Sequence, residues 1–154
     1  MTLSSALALE LDPVRALLEE TSTVILATRS ADGTPRATPV YFAVDAGLRL
    51  IFLSDPKSLH AENCAREPRA SVALYADEPD WRKLRGVQMQ GSVERLSGEA
   101  AEAAGRAVYA GRFPFIGQLA EALAVSAAYA FTPAWIRLID NRRGFGFQQE
   151  WRLP

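Results

Sequence analysis

The sequence predicts a mainly β protein, an antiparallel barrel of six or seven strands with helices added outside it. Three consecutive apolar segments are joined by short turn signals, which is typical of a meander. Residues 85–96 alternate apolar and polar side chains as a half-buried strand does. Helical patterns are confined to three or four segments. Strands joined by hairpins therefore favour an antiparallel barrel over a parallel βαβ array.

The first half of the chain is predicted to form a helix and then the meander. Asp12 can act as N-cap with Pro13 at the first helical position, and the helix ends near Glu20. The three meander strands are predicted over residues 23–30, 35–44 and 48–53. Turns at Gly33 and Gly47 join them. The first strand is apolar at successive positions, which predicts that both of its faces are buried.

The second half is predicted to add four strands and two helices. The strands cover residues 70–75, 85–96, 128–140 and 144–151. The third of them is expected to be interrupted or bent at Pro133, because proline cannot donate to the strand ladder. An Ala-rich helix follows Ser97 and runs to about Gly111. A second helical piece covers residues 116–124.

Composition bounds the classes of function. The 154 residues predict one domain, residues 1–154, long enough to bury a sizeable core. Apolar residues make up 49%, and 17 basic residues face 18 acidic ones, which is typical of a soluble globular protein. No basic run or patch is present, so we expect no nucleic-acid partner.

The sequence also restricts the cellular location and the kinds of metal site that are expected. The N-terminal segment lacks the basic start and the cleavage site of a secretory signal. No apolar stretch reaches the roughly 18 residues that span a bilayer. We therefore expect a cytoplasmic protein without membrane contact. A single cysteine, Cys64, and a single histidine exclude an internal disulfide and argue against a protein-only zinc site.

The strongest functional signal lies where the third strand meets a short helix, in residues 53–60. Ser58 can cap the helix, which leaves first-turn amide groups pointing outward. Lys57 and His60 are three residues apart and can face the same side of that turn. A hydroxyl, a cation, an imidazole and free amides at a positive helix end suit a phosphate monoester. The alternative is an ordinary junction in which Ser58 only caps and Lys57 is solvated.

Several segments of the chain together match a known arrangement. They are Asp32-Gly33 with Pro35 to Tyr41, Phe52 to His60, Arg66-Glu67-Pro68, and Arg85 to Gly91. This order resembles the pyridoxamine 5′-phosphate oxidase-like, FMN-binding split barrel. The similarity covers roughly residues 21–96, with a weaker fit through the C-terminal strands. Asp80-Trp81 and the aromatic ending further resemble a small uncharacterised branch of that superfamily.

The resemblance implies an FMN cofactor lying across a homodimer interface, with its phosphate near the start of the short helix. It places Ser54, Lys57, Ser58 and His60 at phosphate and ribityl positions. It also places Thr38, Val40 and Tyr41 on the strand that passes the isoalloxazine, and Gln88 on a strand that reaches its pyrimidine side. The oxidase enzymes carry an Arg-Lys pair at the phosphate. Here the matching stretch reads Lys57-Ser58-Leu59-His60, so a titratable group replaces a permanent cation.

Some of these residues have other interpretations. Thr38 and Gln88 also fit solvent-facing strand positions, and Tyr41 also fits a core or dimer contact. The aromatic ending contains Phe145, Phe147 and Trp151. It either covers one end of the barrel or packs on a second subunit beside the cofactor. We expect the second arrangement, which makes Trp151 a cofactor-binding candidate.

The implied function is an oxidoreductase that passes electrons from a reduced nicotinamide to a small-molecule acceptor. The sequence has no catalytic triad or carboxylate pair, so we name no catalytic residue, and the flavin would supply the chemistry. The alternative is a non-enzymatic flavin-, F420- or haem-binding or sensory module on the same fold. Haem is disfavoured because the phosphate site requires the only histidine, His60.

Overall fold

A computed structural model describes residues 4–154, which form eight strands and five α-helices. The strands are β1 (Thr23–Arg29), β2 (Pro35–Tyr41), β3 (Ala43–Val44), β4 (Leu50–Ser54), β5 (Arg69–Tyr75), β6 (Arg85–Arg95), β7 (Ala127–Asp140) and β8 (Gln148–Arg152). The helices are α1 (Ser5–Glu10), α2 (Asp12–Glu20), α3 (Leu59–Arg66), α4 (Glu99–Arg112) and α5 (Ala120–Ala124). None of these five helices has the length and apolar character needed to cross a membrane.

The strands form one curled antiparallel sheet, which confirms the predicted mainly β split barrel. Seven strands follow the order β2-β1-β5-β6-β7-β4-β3, and β8 pairs with β7 as an eighth. The long strand β7 pairs with β6 along one edge. Its other edge pairs first with β4 and then with β8. The barrel is therefore organised around β7, with β2 and β3 at the two ends of the sheet.

β6 and β7 approach each other closely near the middle of their pairing, where the ladder is irregular. The register shifts between Gln90 and Gly91. A Cβ atom at position 91 would lie 2.1 Å from the carbonyl oxygen of Thr132, so only glycine fits there. Pro133 follows directly and has no N–H to donate. β7 nevertheless continues through Pro133 as one strand, because the bulge absorbs the missing hydrogen bond.

One face of the sheet closes over the core, and the other stays open within the single chain. Val24 and Leu26 of β1 are buried in the core, whereas the side chain of Ile25 is 39% exposed. The prediction that β1 is buried on both faces is therefore wrong for the isolated chain. Tyr75 of β5 lies on the same open face of the sheet and is 63% exposed.

Smaller differences from the predicted elements have local causes. The predicted strand 35–44 is divided at Phe42, because residues before it pair with β1 and residues after it pair with β4. Asp12 is the first helical residue of α2 and not its cap. Helix α1 was not predicted; the Ser4 hydroxyl caps it by accepting a hydrogen bond from the amide of Leu7. Residues 1–3 lie outside the described range.

The C-terminal aromatic residues do not act as one set. Trp151 is only 7% exposed, belongs to the core and donates a hydrogen bond from Nε1 to the Glu10 carboxylate at 3.2 Å. Phe145 is 82% exposed and meets Trp81 edge to face. Trp151 is thus buried within its own chain. The expectation that it packs on a second subunit is wrong for this residue.

Replacement of Trp151 by alanine should lower the free energy of unfolding by about 3–5 kcal/mol, because a large buried side chain would leave a cavity. Phe145→Ala is the matched control and should change it by no more than about 0.5 kcal/mol, since that ring is exposed. Urea unfolding followed by circular dichroism measures both. Equal effects of the two substitutions would contradict the burial of Trp151.

Candidate functional site

The junction between β4 and α3 is a tight turn that presents several polar groups. β4 ends at Ser54, and the Asp55 carboxylate accepts a hydrogen bond from the amide of Lys57 at 2.8 Å. The carbonyl of Asp55 accepts one from the amide of Ser58 at 2.9 Å. Ser58 is the N-cap residue of α3, as predicted, but its side chain makes no capping bond. The first-turn amides of α3 are therefore left without a side-chain acceptor.

The hydroxyls of two predicted phosphate-binding residues converge on the imidazole of a third. The Nε2 atom of His60 lies 2.7 Å from the Ser54 hydroxyl and 3.3 Å from the Ser58 hydroxyl. The sequence predicted these residues separately, and the structure brings them together. We call this group of Ser54, Ser58 and His60 the hydroxyl–imidazole cradle. The Ser58 hydroxyl bonds to the imidazole, which explains why it does not cap the helix.

The cradle is neutral in the free protein, and the neighbouring Lys57 supplies the positive charge at this turn. Burial lowers the pKa of the His60 imidazole below its usual value, because the cationic form is poorly solvated there. The ring is therefore neutral at neutral pH. Lys57 is exposed, and within residues 4–154 its ammonium makes no ion pair. It is free to meet an anion at the same turn.

A buried amide network holds α3 in place. Asn63 is buried on α3, and its Nδ2 donates to the Thr28 hydroxyl of β1 at 3.1 Å. Its Oδ1 accepts from Arg66 at 3.3 Å, and Arg66 also donates to the carbonyl of Arg29. This anchor was not predicted from the sequence. The signal that could have shown it is an asparagine on the apolar face of a short helix.

The strand predicted to pass the flavin ring is an edge strand. Within the described chain, β2 hydrogen-bonds only with β1, so its other side carries backbone N–H and C=O groups without ladder partners. Thr38 is half-buried, Val40 is buried, and Tyr41 is half-exposed against Phe113. β2 also comes within 8 Å of β4 between Cα atoms. Unpaired backbone groups therefore lie near the strand that leads to the cradle.

The last two predicted residues lie elsewhere. Gln88 is exposed on the open face of the sheet and lines a cavity of about 390 Å³. That cavity contains none of the cradle residues. Trp151 is buried in the core, and little of its side chain is available to a ligand. Gln88 and the cradle do not line a common cavity within a single chain.

A second cavity on the open face was not predicted. It measures about 620 Å³ and shares Ala27, Ser71, Gln90 and Trp135 with the cavity that contains Gln88. Three arginines, Arg29, Arg69 and Arg152, line it. Its volume falls in the range of small-molecule sites. We call these two adjoining cavities the sheet-face groove.

Comparison with known proteins identifies the family. The model of a family described as pyridoxamine 5′-phosphate oxidase matches residues 11–140. The chain belongs to that family. A UPF0306 protein from Enterobacter sp. (strain 638) is 32% identical over 100 residues, which are 64% of this chain and 66% of the relative. The UPF0306 proteins are uncharacterised, which confirms the predicted resemblance to a small uncharacterised branch of the superfamily.

Solved structures share the fold. A haem-binding protein from Mycobacterium smegmatis superposes with a TM-score of 0.77 at 22% identity, over 99% of this chain and 60% of that one. A FAD-binding protein from Mesorhizobium loti superposes with a TM-score of 0.67 at 22% identity, over 90% and 93%. At these identities the likeness shows the fold, and the ligands belong to those proteins.

The free energy of unfolding should rise with pH below the usual histidine pKa of about 6.5. The folded protein lowers the pKa of His60, so the unfolded chain binds more protons in that range. The stabilisation is complete above about 6.5 and is lost as the pH falls through the folded-state pKa. Denaturant unfolding at several pH values measures this.

His60→Gln should remove that part of the pH dependence and leave the contribution of the carboxylates. Because His60 is the only histidine, its ring signals in NMR give the folded-state pKa directly. A ring that titrates at or above its usual value in the free protein would contradict the burial of the imidazole.

Proposed function

We propose that this protein binds FMN in a homodimer and acts as an oxidoreductase that passes electrons from a reduced nicotinamide to a small-molecule acceptor. The observation that carries the proposal is the convergence of two hydroxyls on His60 Nε2 beside the exposed Lys57. A phosphate monoester carries a charge of about −1.5 to −2 and three acceptor oxygens. The cradle, the first-turn amides and the Lys57 ammonium supply matching donors.

The same residues fit haem poorly. His60 is the only histidine, and both neighbouring hydroxyls already engage its Nε2 atom. Cys64 is buried, and burial raises the pKa of its thiol to about 11, so it does not supply a thiolate ligand. A flavin phosphate uses the hydroxyls and the imidazole as hydrogen-bonding groups and requires no axial ligand. The donor set therefore favours a flavin.

A second copy of the chain would complete the site. The sheet-face groove is flanked by exposed Ile25 and Tyr75, and such a surface is typical of an interface. Gln88 lies in that groove, apart from the cradle. Two chains that meet through this face could place Gln88 of one beside a flavin held by the cradle of the other. We propose this arrangement for the predicted homodimer, and it would give Gln88 its predicted role.

Each part of the chain then has a distinct task. The flavin supplies electron transfer when it is bound, and the protein binds it, orients it and excludes water. The cradle and Lys57 hold the phosphate end. The side of β2 that faces away from β1 can hydrogen-bond the ring edge through its backbone, whereas the backbone groups of Thr38 face β1 and leave its hydroxyl for the ligand. The open face of the partner would shield the ring from solvent.

Absorption spectroscopy of the purified protein tests the cofactor class. A flavin spectrum supports the proposal, a deazaflavin spectrum indicates F420, and a Soret band indicates haem. Addition of a reduced nicotinamide without oxygen should bleach the flavin. Binding without bleaching by any nicotinamide would favour the non-enzymatic flavin-binding module. FMN should also raise the pKa of the His60 ring, since the phosphate favours the imidazolium.

Lys57→Ala should weaken FMN binding about ten- to a hundredfold, because it removes a charge-assisted contact worth about 1.5–3 kcal/mol. Lys83→Ala is the matched control, since Lys83 is an exposed lysine in the turn before β6. Fluorescence quenching of FMN measures both affinities. Equal affinities of the two variants would place the phosphate elsewhere.

Ile25→Glu should convert the dimer into a monomer, because it buries a charge in an apolar contact between the open faces. Leu119→Glu places the same charge on another exposed apolar residue and should leave the dimer intact. Sedimentation velocity at micromolar concentration measures both. A wild-type monomer would overturn the proposed dimer, and an Ile25→Glu dimer would assign the interface to another surface.

A further inference from the structure

We propose that a small cavity behind α3 binds a small organic monocarboxylate, at a site distinct from the cradle and from the sheet-face groove. The cavity measures about 200 Å³ and lies between α3 and the ends of β6 and β7. Its lining residues are Pro56, Ala61, Cys64, Ala65, Val93, Arg95 and Tyr129. It contains none of the cradle residues. This volume is below the roughly 300–1,000 Å³ of drug-sized sites, so the cavity excludes a flavin.

Tyr129 presents an unused hydroxyl to this cavity. The residue is only 5% exposed, and within residues 4–154 its hydroxyl makes no hydrogen bond. No fully buried side-chain polar atom of the described chain lacks a partner, so this hydroxyl reaches solvent space. The cavity is the space that Tyr129 lines. Its ring is stacked on Phe52 at 5.4 Å, which holds the hydroxyl in a defined position.

Arg95 supplies the positive charge. It is the last residue of β6 and pairs in register with Tyr129 of β7, so the two side chains are cross-strand neighbours. Both line the cavity. Within the described part of the chain, the Arg95 guanidinium makes no ion pair. A guanidinium and a phenol at one end of a cavity form a donor pair for a carboxylate.

The remaining walls define the rest of the ligand. Pro56, Ala61, Ala65 and Val93 are apolar and leave room for a short apolar body. The Cys64 thiol stays protonated because burial raises its pKa to about 11. Arg95 supplies a single positive charge, and the carboxylate of nearby Asp55 adds a negative one, so the site does not favour a second negative charge on the ligand. One carboxylate on a short apolar stem therefore matches the cavity.

Benzoate is the probe, and benzamide is its neutral counterpart of nearly equal shape. Titrations of the full chain are followed by calorimetry and by NMR of labelled backbone amides. Benzoate should bind saturably, shift the amides of α3 near Ala65 and bind at least about tenfold more tightly than benzamide. Tyr129→Phe and Arg95→Gln should each weaken benzoate binding by at least about tenfold.

The controls are Tyr109→Phe and Arg82→Gln, which make the same chemical changes away from this cavity and should leave benzoate binding unchanged. If Tyr129→Phe fails to fold, Arg95→Gln decides the outcome, because its side chain is exposed. No saturable benzoate binding by the wild type, or equal binding by the wild type and Arg95→Gln, would overturn the proposal. The result does not depend on FMN, since the titration is run without a flavin.

Discussion

The contact between β6 and β7 at Gly91 is the constraint on which the rest of this structure depends. A Cβ atom there would overlap the carbonyl oxygen of Thr132 at 2.1 Å, so the two strands can cross this point only with glycine. The bulge beside it turns the direction of β7. As a result β7 pairs with β4 before the bend and with β8 after it. The barrel is split because β7 changes its partner from β4 to β8 at this point.

The change of partner along β7 also positions the cradle and the small cavity. β4 is paired with the first half of β7, and its end carries Ser54 into the cradle. The ends of β6 and β7 also frame the small cavity that contains Arg95 and Tyr129. α3 carries His60 of the cradle and lines the small cavity with Ala61, Cys64 and Ala65. Asn63 fixes this helix to β1 through Thr28.

Local sequence signals predicted much of the fold and part of the site. The turn at residues 55–58 and the following helix could be predicted because Asp, Pro and Ser act through neighbouring backbone groups. The convergence of Ser54 and Ser58 on His60 also lies within seven residues. Burial of Trp151 could not be predicted, because it depends on α1 and Glu10 at the other end of the chain.

Long-range packing explains the other failures. The exposure of Ile25 could not be predicted from the sequence, since an apolar residue occurs in a core and at an interface alike. The sheet-face groove, the Asn63 anchor and the pairing of Arg95 with Tyr129 each join residues distant in sequence. These features required the strand order, which hydrophobic periodicity does not specify.

An unpaired edge strand carries a hazard as well as a use. The backbone groups of β2 that are open to a small molecule are equally open to a strand from another chain, which is the route to edge-to-edge aggregation. β2 contains Pro35 and Pro39, so two of its residues have no amide to offer, and Arg36 places a charge on it. These residues make β2 a poor template for continued β-sheet growth. The edge can therefore stay accessible to a ligand in a crowded cell without recruiting misfolded neighbours.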